Sequence, residues 1–218
     1  MGDGSGVRPW LLRRVARGAW VVLLCLGLAQ GAYGAPSVEE IVVNVSRAAG
    51  HLPAEMGFRQ EVQLRVLFLM WKFQSLVVRQ NGEYLVETRG APDFLPQGFM
   101  ASLLEVGDAL TNYELEIVGE ERNGRGEPVY RLTGRRRHGS QGALGGILWI
   151  NGQTWLVERA TLEYDWGTLE LHQEFHKVGG YTVLRSQRAT ASLLGARLTV
   201  EYQDYWFGND DMIAREDH

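Results

Sequence analysis

Cysteine is almost missing from this chain. One thiol, Cys25, serves all 218 residues, and it falls in the segment read below as an export signal. No disulfide can form within the chain, and beyond residue 34 there is no thiol nucleophile and no cysteine metal ligand. An excess of basic charge is missing too. Lys and Arg number 22 against 26 Asp and Glu, and without residues 1–34 the balance becomes 18 against 25, or −7. That charge excludes nucleic acid as a partner, because its recognition needs a basic footprint. No apolar run reaches the roughly 20 residues that span a bilayer. There is no Gly-x-Ser-x-Gly elbow and no phosphate-cradling glycine loop. The aspartates at 204, 210 and 211 stand at a strand end and in the tail without histidine partners. A non-enzyme without a cofactor is the expectation.

What is present begins with an export signal. Arg8, Arg13, Arg14 and Arg17 form a positive region, Ala19–Ala29 is a short apolar core, and Ala32-Tyr33-Gly34 supplies small residues at the −3 and −1 positions. This layout predicts cleavage after Gly34. A lipoprotein route through Cys25 is the weaker reading, since Leu24 stands where a small residue is wanted. The Arg13-Arg14 pair fits a twin-arginine route poorly. The expected organisation is a signal peptide over 1–34, one β-rich domain over 35–208, and a polar tail over 209–218. The expected location is the periplasm or another extracytoplasmic part of the envelope.

Ser37-Val38-Glu39-Glu40 is a capping box, and Val38, Ile41, Val42, Val45 and Ala49 recur at helical spacing until Gly50 and Pro53. From Phe58 the period is two: Val62, Leu64, Val66, Phe68 and Met70 alternate with Glu61, Gln63 and Arg65. A single strand from Phe58 to Gln80 would run about 75 Å at 3.3 Å per residue, so a bend or turn is expected near Phe68–Gln74. Asn81-Gly82 is a type I′ hairpin signal. Ala91–Pro96 reads as a rigid apolar loop, and Phe99, Met100, Leu103, Leu104 and Leu110 as a second helix over Gly98–Leu110. Strands follow at Tyr113–Glu121, Val129–Arg137, Leu144–Ile150, Thr154–Asp165, Thr168–Lys177, Tyr181–Leu193 and Ala196–Phe207. Their connections are short: Asn151-Gly152, Trp166-Gly167, Gly179-Gly180 and Leu194-Gly195. That spacing predicts an antiparallel meander.

The sheet is expected to be one-sided. Ala160, Leu162, Tyr164 and Trp166 share a face, as do Leu169, Leu171 and Phe175, and Leu198, Val200, Tyr202 and Trp206. Arg159, Glu163, Glu170, His172, Glu174, Arg197 and Glu201 take the wet side. His172 and His176 have a metal-box spacing only on a helix. On a strand they lie about 13 Å apart, and a solvated face without metal is the expectation. Arg135-Arg136-Arg137-His138 reads by default as a charged loop, with an acidic partner or lipid headgroups as the alternative.

Gly146-Ile147-Leu148-Trp149-Ile150-Asn151 followed by Thr154-Trp155-Leu156-Val157-Glu158-Arg159 resembles the strand pair of the LolA/LolB/RseB superfamily of exported lipid- and lipoprotein-binding domains. Tyr164-Asp165-Trp166-Gly167 and Gly180-Tyr181-Thr182-Val183-Leu184 fit the hairpins after it, and the likeness covers nearly all of residues 35–208. The resemblance implies a mainly β fold with two short helices (α+β): a curved antiparallel sheet, or incomplete barrel, closed by the helices over an apolar cavity for acyl chains. The residues expected to line that cavity are Val66, Phe68, Met70, Tyr84, Val86, Phe94, Phe99, Leu103, Trp149, Leu162, Tyr164, Trp166, Leu171, Phe175 and Tyr202. An aromatic stripe of this kind is more commonly plain core. Two short helices, however, leave such a sheet an unfilled concavity. The implied function is a monomeric, non-catalytic carrier of a lipid or acylated lipoprotein. The alternative is an envelope regulatory domain that binds a protein partner.

Overall fold

The computed structural model describes residues 35–81, 83–95, 100, 110, 112–138 and 142–208. The expected signal (1–34) and tail (209–218) lie outside the described residues. So does most of the expected second helix, with Phe99 and Leu103. Met100 and Leu110 at its ends are described, and both are buried.

Helix α1 (Val38–Gly50) starts at the capping box: Ser37 N–H donates to Glu40 Oε2 at 2.9 Å, and Glu40 N–H to Ser37 Oγ at 3.2 Å. Two orphan donors of the first turn are thereby satisfied, with acidic side chains at the positive end of the helix dipole. Ile41 and Val45 are its fully buried anchors.

Ten strands form one antiparallel sheet: β1 (Met56–Val66), β2 (Leu69–Gln80), β3 (Glu83–Arg89), β4 (Tyr113–Arg122), β5 (Pro128–Arg136), β6 (Gly145–Asn151), β7 (Val157–Tyr164), β8 (Gly167–Val178), β9 (Tyr181–Ala191) and β10 (Arg197–Phe207). The spatial order is β3-β2-β1-β10-β9-β8-β7-β6-β5-β4. The meander expected from the short connections runs from β4 to β10, and the first hairpins extend it through β1. The sheet stays open, with β3 and β4 as its two edges. Register shifts at Gly57/Arg59, Ile117/Gly119, Trp149/Ile150 and Glu174/Phe175 mark bulges, which bend and twist a sheet locally. Among the described residues α1 is the one α-helix seen along its length; Met100 is also helical, and a 3-10 turn falls at Leu193–Gly195.

The core lies on one face. Val62, Leu64, Phe73, Val77, Leu132, Ile150, Ala160, Leu171 and Val200 are buried there. The sequence alternation put these faces in the right phase except where a turn intervened. The β1–β2 turn is the two-residue loop Leu67-Phe68, flanked by the pair Val66↔Leu69, at the leading edge of the expected window. A two-residue loop shifts the side-chain phase by one. Met70 therefore pairs with Arg65 on the outer face, and Trp71 takes the inner place beside Leu64. The β6–β7 connection also differs from the expected Asn151-Gly152 hairpin. Asn151 Oδ1 accepts from the N–H groups of Gln153 (2.9 Å) and Thr154 (3.1 Å), and Trp155 adopts φ 58°. This Asx turn pulls residues 152–156 out of the strand.

Candidate ligand pocket

The inner face meets the C-terminal half of α1 around a pocket of about 120 Å³. Val45, Ala48 and Leu52 approach from the helix side, with Phe58, Tyr84 and Tyr205 on one wall and Trp155–Val157, Phe175 and Leu184 on the other. The lining is apolar in the main. The Tyr205 hydroxyl donates to Leu184 O at 2.7 Å, which satisfies the polar end of the ring. Burial raises the Tyr205 pKa well above the ordinary phenol value, and burial does the same for Tyr202. Both rings are neutral packing elements in any physiological medium.

A polar seam crosses the inner face beside this pocket. Thr88, Ser75, Gln60 and Tyr202 are cross-strand neighbours in sequence β3, β2, β1, β10. Ser75 and Thr88 hydroxyls are 3.0 Å apart, and Tyr202 O–H donates to Gln187 Oε1 at 2.9 Å. Gln60 and Gln187 are fully buried, with the Gln60 amide lying against the Tyr202 hydroxyl. Ser75 with Thr88 and Tyr202 with Gln187 pair in this seam, whereas neither Nε2 nor Oε1 of the Gln60 amide has a hydrogen-bond partner among the described residues, a costly arrangement for a buried amide. Among the described residues the seam interrupts the apolar inner face across β3, β2, β1, β10 and β9.

Of the residues expected to line a cavity, Tyr84 and Phe175 line this pocket. Leu171 and Tyr202 are buried core, and Val66, Val86 and Leu162 pack against that core. Trp149 is a correction: it pairs with Arg131 and Arg159 on the outer face, with the Arg159 guanidinium 4.5 Å above its ring. Phe68 is a second, 86% exposed at the β1–β2 tip, and Met70, moved outward by the phase shift, is a third. Trp166 is exposed in the β7–β8 tip and stacks on the half-buried Tyr164 at 4.8 Å. Phe94 is exposed and meets Trp71 edge-on at 5.2 Å. Phe68, Met70, Trp166 and Phe94 stand at the end of the sheet away from the pocket. The sequence reading missed α1's own contribution and the Trp155 loop. The small residues Ala48 and Ala49 at helical spacing with Val45 were the available signal for the first.

The histidines also depart from expectation. His172 is exposed, but His176 is half-buried and edge-on to Tyr205, with ring centroids 6.0 Å apart. No cluster of three metal-ligating side chains occurs among the described residues. A second depression of about 640 Å³ lies between the β4–β5 loop and β8–β9. Its lining mixes Arg125, Lys177 and Arg185 with Glu127, Glu158 and Glu174. Glu127 Oε2 accepts from Asn123 Nδ2 (2.8 Å), Asn151 Nδ2 (2.8 Å) and Arg125 Nε (3.0 Å). These bonds, those of Asn123 and Asn151 first, hold its pKa below the ordinary carboxylate value. The network ties the β4–β5 loop to the β6–β7 loop.

No family model matches the chain, and no curated protein does. Solved structures do. A DUF1329 family protein of Desulfovibrio piger is similar over 84% of this chain and 99% of its own, at 13% identity and a TM-score of 0.58. A domain from Vibrio parahaemolyticus ascribed to outer membrane lipoprotein sorting covers 83% of this chain and 98% of its own, at 10% identity and 0.58. A LolA superfamily protein of Nitrosomonas europaea covers 84% and 100%, at 12% identity and 0.54. The likeness is one of fold. The chain has a LolA-like fold.

Proposed function

We propose that this protein is a non-catalytic holder of an acylated ligand, a lipid or lipoprotein, in the bacterial cell envelope. The acyl chain enters between α1 and the inner face of the sheet. The observation that carries this reading is the apolar pocket beneath α1. Its size sets a condition. About 120 Å³ takes roughly four methylene-sized groups, at the ~30 Å³ one water occupies. Four methylenes contribute about 3 kcal/mol at ~0.8 each, whereas micromolar affinity needs about 8 kcal/mol. About ten methylenes must be buried, so α1 moves outward as the ligand enters. The helix is held by only two fully buried side chains, Ile41 and Val45, which makes that movement the cheapest way to enlarge the space.

The regulatory reading keeps one supporting observation. The polar seam and the small pocket leave much of the inner face already filled, as in a domain that binds a protein partner on its surface. Titration of an acyl-chain probe separates the two. With Phe175→Glu, a charge faces apolar walls and either costs several kcal/mol or admits water, so probe binding is lost. Trp166→Glu, at the exposed tip, leaves affinity within about two-fold. Undiminished binding by a folded Phe175→Glu variant, checked by its melting curve, would remove the ligand from this pocket.

A further inference from the structure

The tight turns at the two ends of the sheet differ in their chemistry. At one end they include Asn81-Gly82, Asn123–Gly126 and Gly179-Gly180, residues that left-handed backbone favours, beside the longer β6–β7 loop with Trp155. At the other end they are Leu67-Phe68, Asp165-Trp166 and Leu193–Gly195, beside the longer β5–β6 connection with Gly142. Leu67 and Leu194 carry φ of 54° and 56°, a conformation that costs a branched side chain and suits Asn or Gly. The Leu, Phe and Trp side chains of the tight turns at this second end are exposed. Of the thirteen exposed large hydrophobics among the described residues, nine lie at this end.

The registers place these tips side by side. Val66 pairs with Leu69, Arg65 with Arg197, Leu169 with Ala191, Glu163 with Gly145 and Gly145 with Arg135. From β1 through β10 to β5 the rim is six strand spacings, about 30 Å of arc at ~4.8 Å each. Charge follows the same end. Arg65 and Arg197 are exposed and directly opposed across β1 and β10, a like-charge pairing that disfavours the sheet. Arg135–His138 closes the far end of the rim. Against these stand Glu114, which is exposed opposite Arg135, Glu163, Asp165 and Asp93 beside Phe94, in a chain whose total charge is −4. Apolar tips ringed by basic side chains, kept at a conformational and electrostatic cost, match one kind of surface: an acyl boundary beneath anionic headgroups.

We infer that this rim docks the protein on an anionic lipid bilayer, with Leu67, Phe68, Leu193, Leu194 and Trp166 entering the headgroup region and the arginines pairing with lipid phosphates. This does not depend on what the pocket under α1 carries. The test is co-sedimentation of the chain from Ala35 onward, which contains every described strand and the helix. The vesicles are phosphatidylcholine alone, or phosphatidylcholine with ~30% phosphatidylglycerol, and the full-length chain is the control. Binding to the anionic vesicles exceeds that to neutral ones by at least ten-fold and collapses in ~1 M salt, where the screening length is about 3 Å. Leu67→Asn with Phe68→Ser and Leu194→Asn lowers binding to both vesicles about ten-fold or more. Its melting temperature stays equal to or above that of the parent, a pairing that a purely structural role would not give. Arg65→Gln with Arg197→Gln loses about twenty-five-fold on anionic vesicles only, at roughly five-fold per basic side chain. The inference is overturned if the parent binds neither vesicle, or if the apolar triple variant binds as the parent does. It is equally overturned if sedimentation shows that the tips join two copies of the chain and vesicles compete for nothing.

Discussion

Filling the pocket from the helix side should separate stability from binding. Ala48 lines the pocket in α1, and Ala48→Leu adds three carbons, roughly 90 Å³ at the ~30 Å³ of a water-sized group. That fits within the 120 Å³ present. Three buried carbons contribute up to about 2.4 kcal/mol at ~0.8 each, and ordering the leucine side chain takes back about 0.5–1. Helix propensity changes little, since Leu ranks close to Ala. The expected net is a gain of about 1.5 kcal/mol. For a folded domain of this size that is a rise of about 3–6 °C in Tm. Acyl-probe affinity should fall at least ten-fold, because the volume that receives the chain is gone. Differential scanning calorimetry and probe titration on the same preparation read both quantities. A variant that melts lower than the parent would mean the space is not open to α1. One that gains stability and still binds at parental affinity would refute the pocket as the acyl site.

Other consequences follow from single contacts. Gly57 lies under the Trp206 ring, where an added Cβ would collide, so Gly57→Ala should cost about 1–3 kcal/mol in urea unfolding. His172→Ala should leave stability within about 0.5 kcal/mol. His176→Ala loses the Tyr205 contact and should cost about 0.5–1.5 kcal/mol, so equal effects of the two would contradict the half-buried placement. Glu127 has a lowered folded pKa, and its bonds therefore stabilise the fold above the unfolded carboxylate value of 4.5. That contribution is lost as pH falls through the lower folded value. Glu127→Gln should flatten this acid-side loss in thermal melts from pH 5 downward, and an unchanged profile would count against the network. Amino-terminal sequencing of secreted material should begin at Ala35, and an acylated Cys25 would replace that account with membrane anchoring.

Much of the fold was legible because its signals are local. The capping box at Ser37 and Glu40, the Asn81-Gly82 and Gly179-Gly180 turns, and the period-two alternation each act within a few residues. The structure keeps the capping box and the turns where the sequence placed them, and the alternation except beyond the β1–β2 turn and in the β6–β7 loop. The β1–β2 turn was legible only as a necessity of length. Leu67-Phe68 has none of the usual turn residues, and the position that marks it is the strained φ of Leu67. From that hidden turn came the misplacement of Met70 and Phe68, since every side chain beyond it changed face. Trp149 misled for another reason: an aromatic ring over Arg159 on a wet face looks, in sequence, like one facing a core. Gln60, by contrast, occupied an inner position of the alternation in plain view, a polar residue in the apolar phase that marked the buried seam. The pocket itself depends on how α1 and the Trp155 loop pack against β8 and β9, which no local pattern encodes.

The most direct measurement for the central claim is mass spectrometry of an organic extract from the protein purified out of its native envelope without detergent exchange. Acyl lipid or the acyl chains of a lipoprotein should appear at close to one equivalent per chain, and should be depleted from the Ala48→Leu variant prepared in parallel. An extract free of acyl species, from protein that also fails to take up an added acyl probe, would contradict the carrier account.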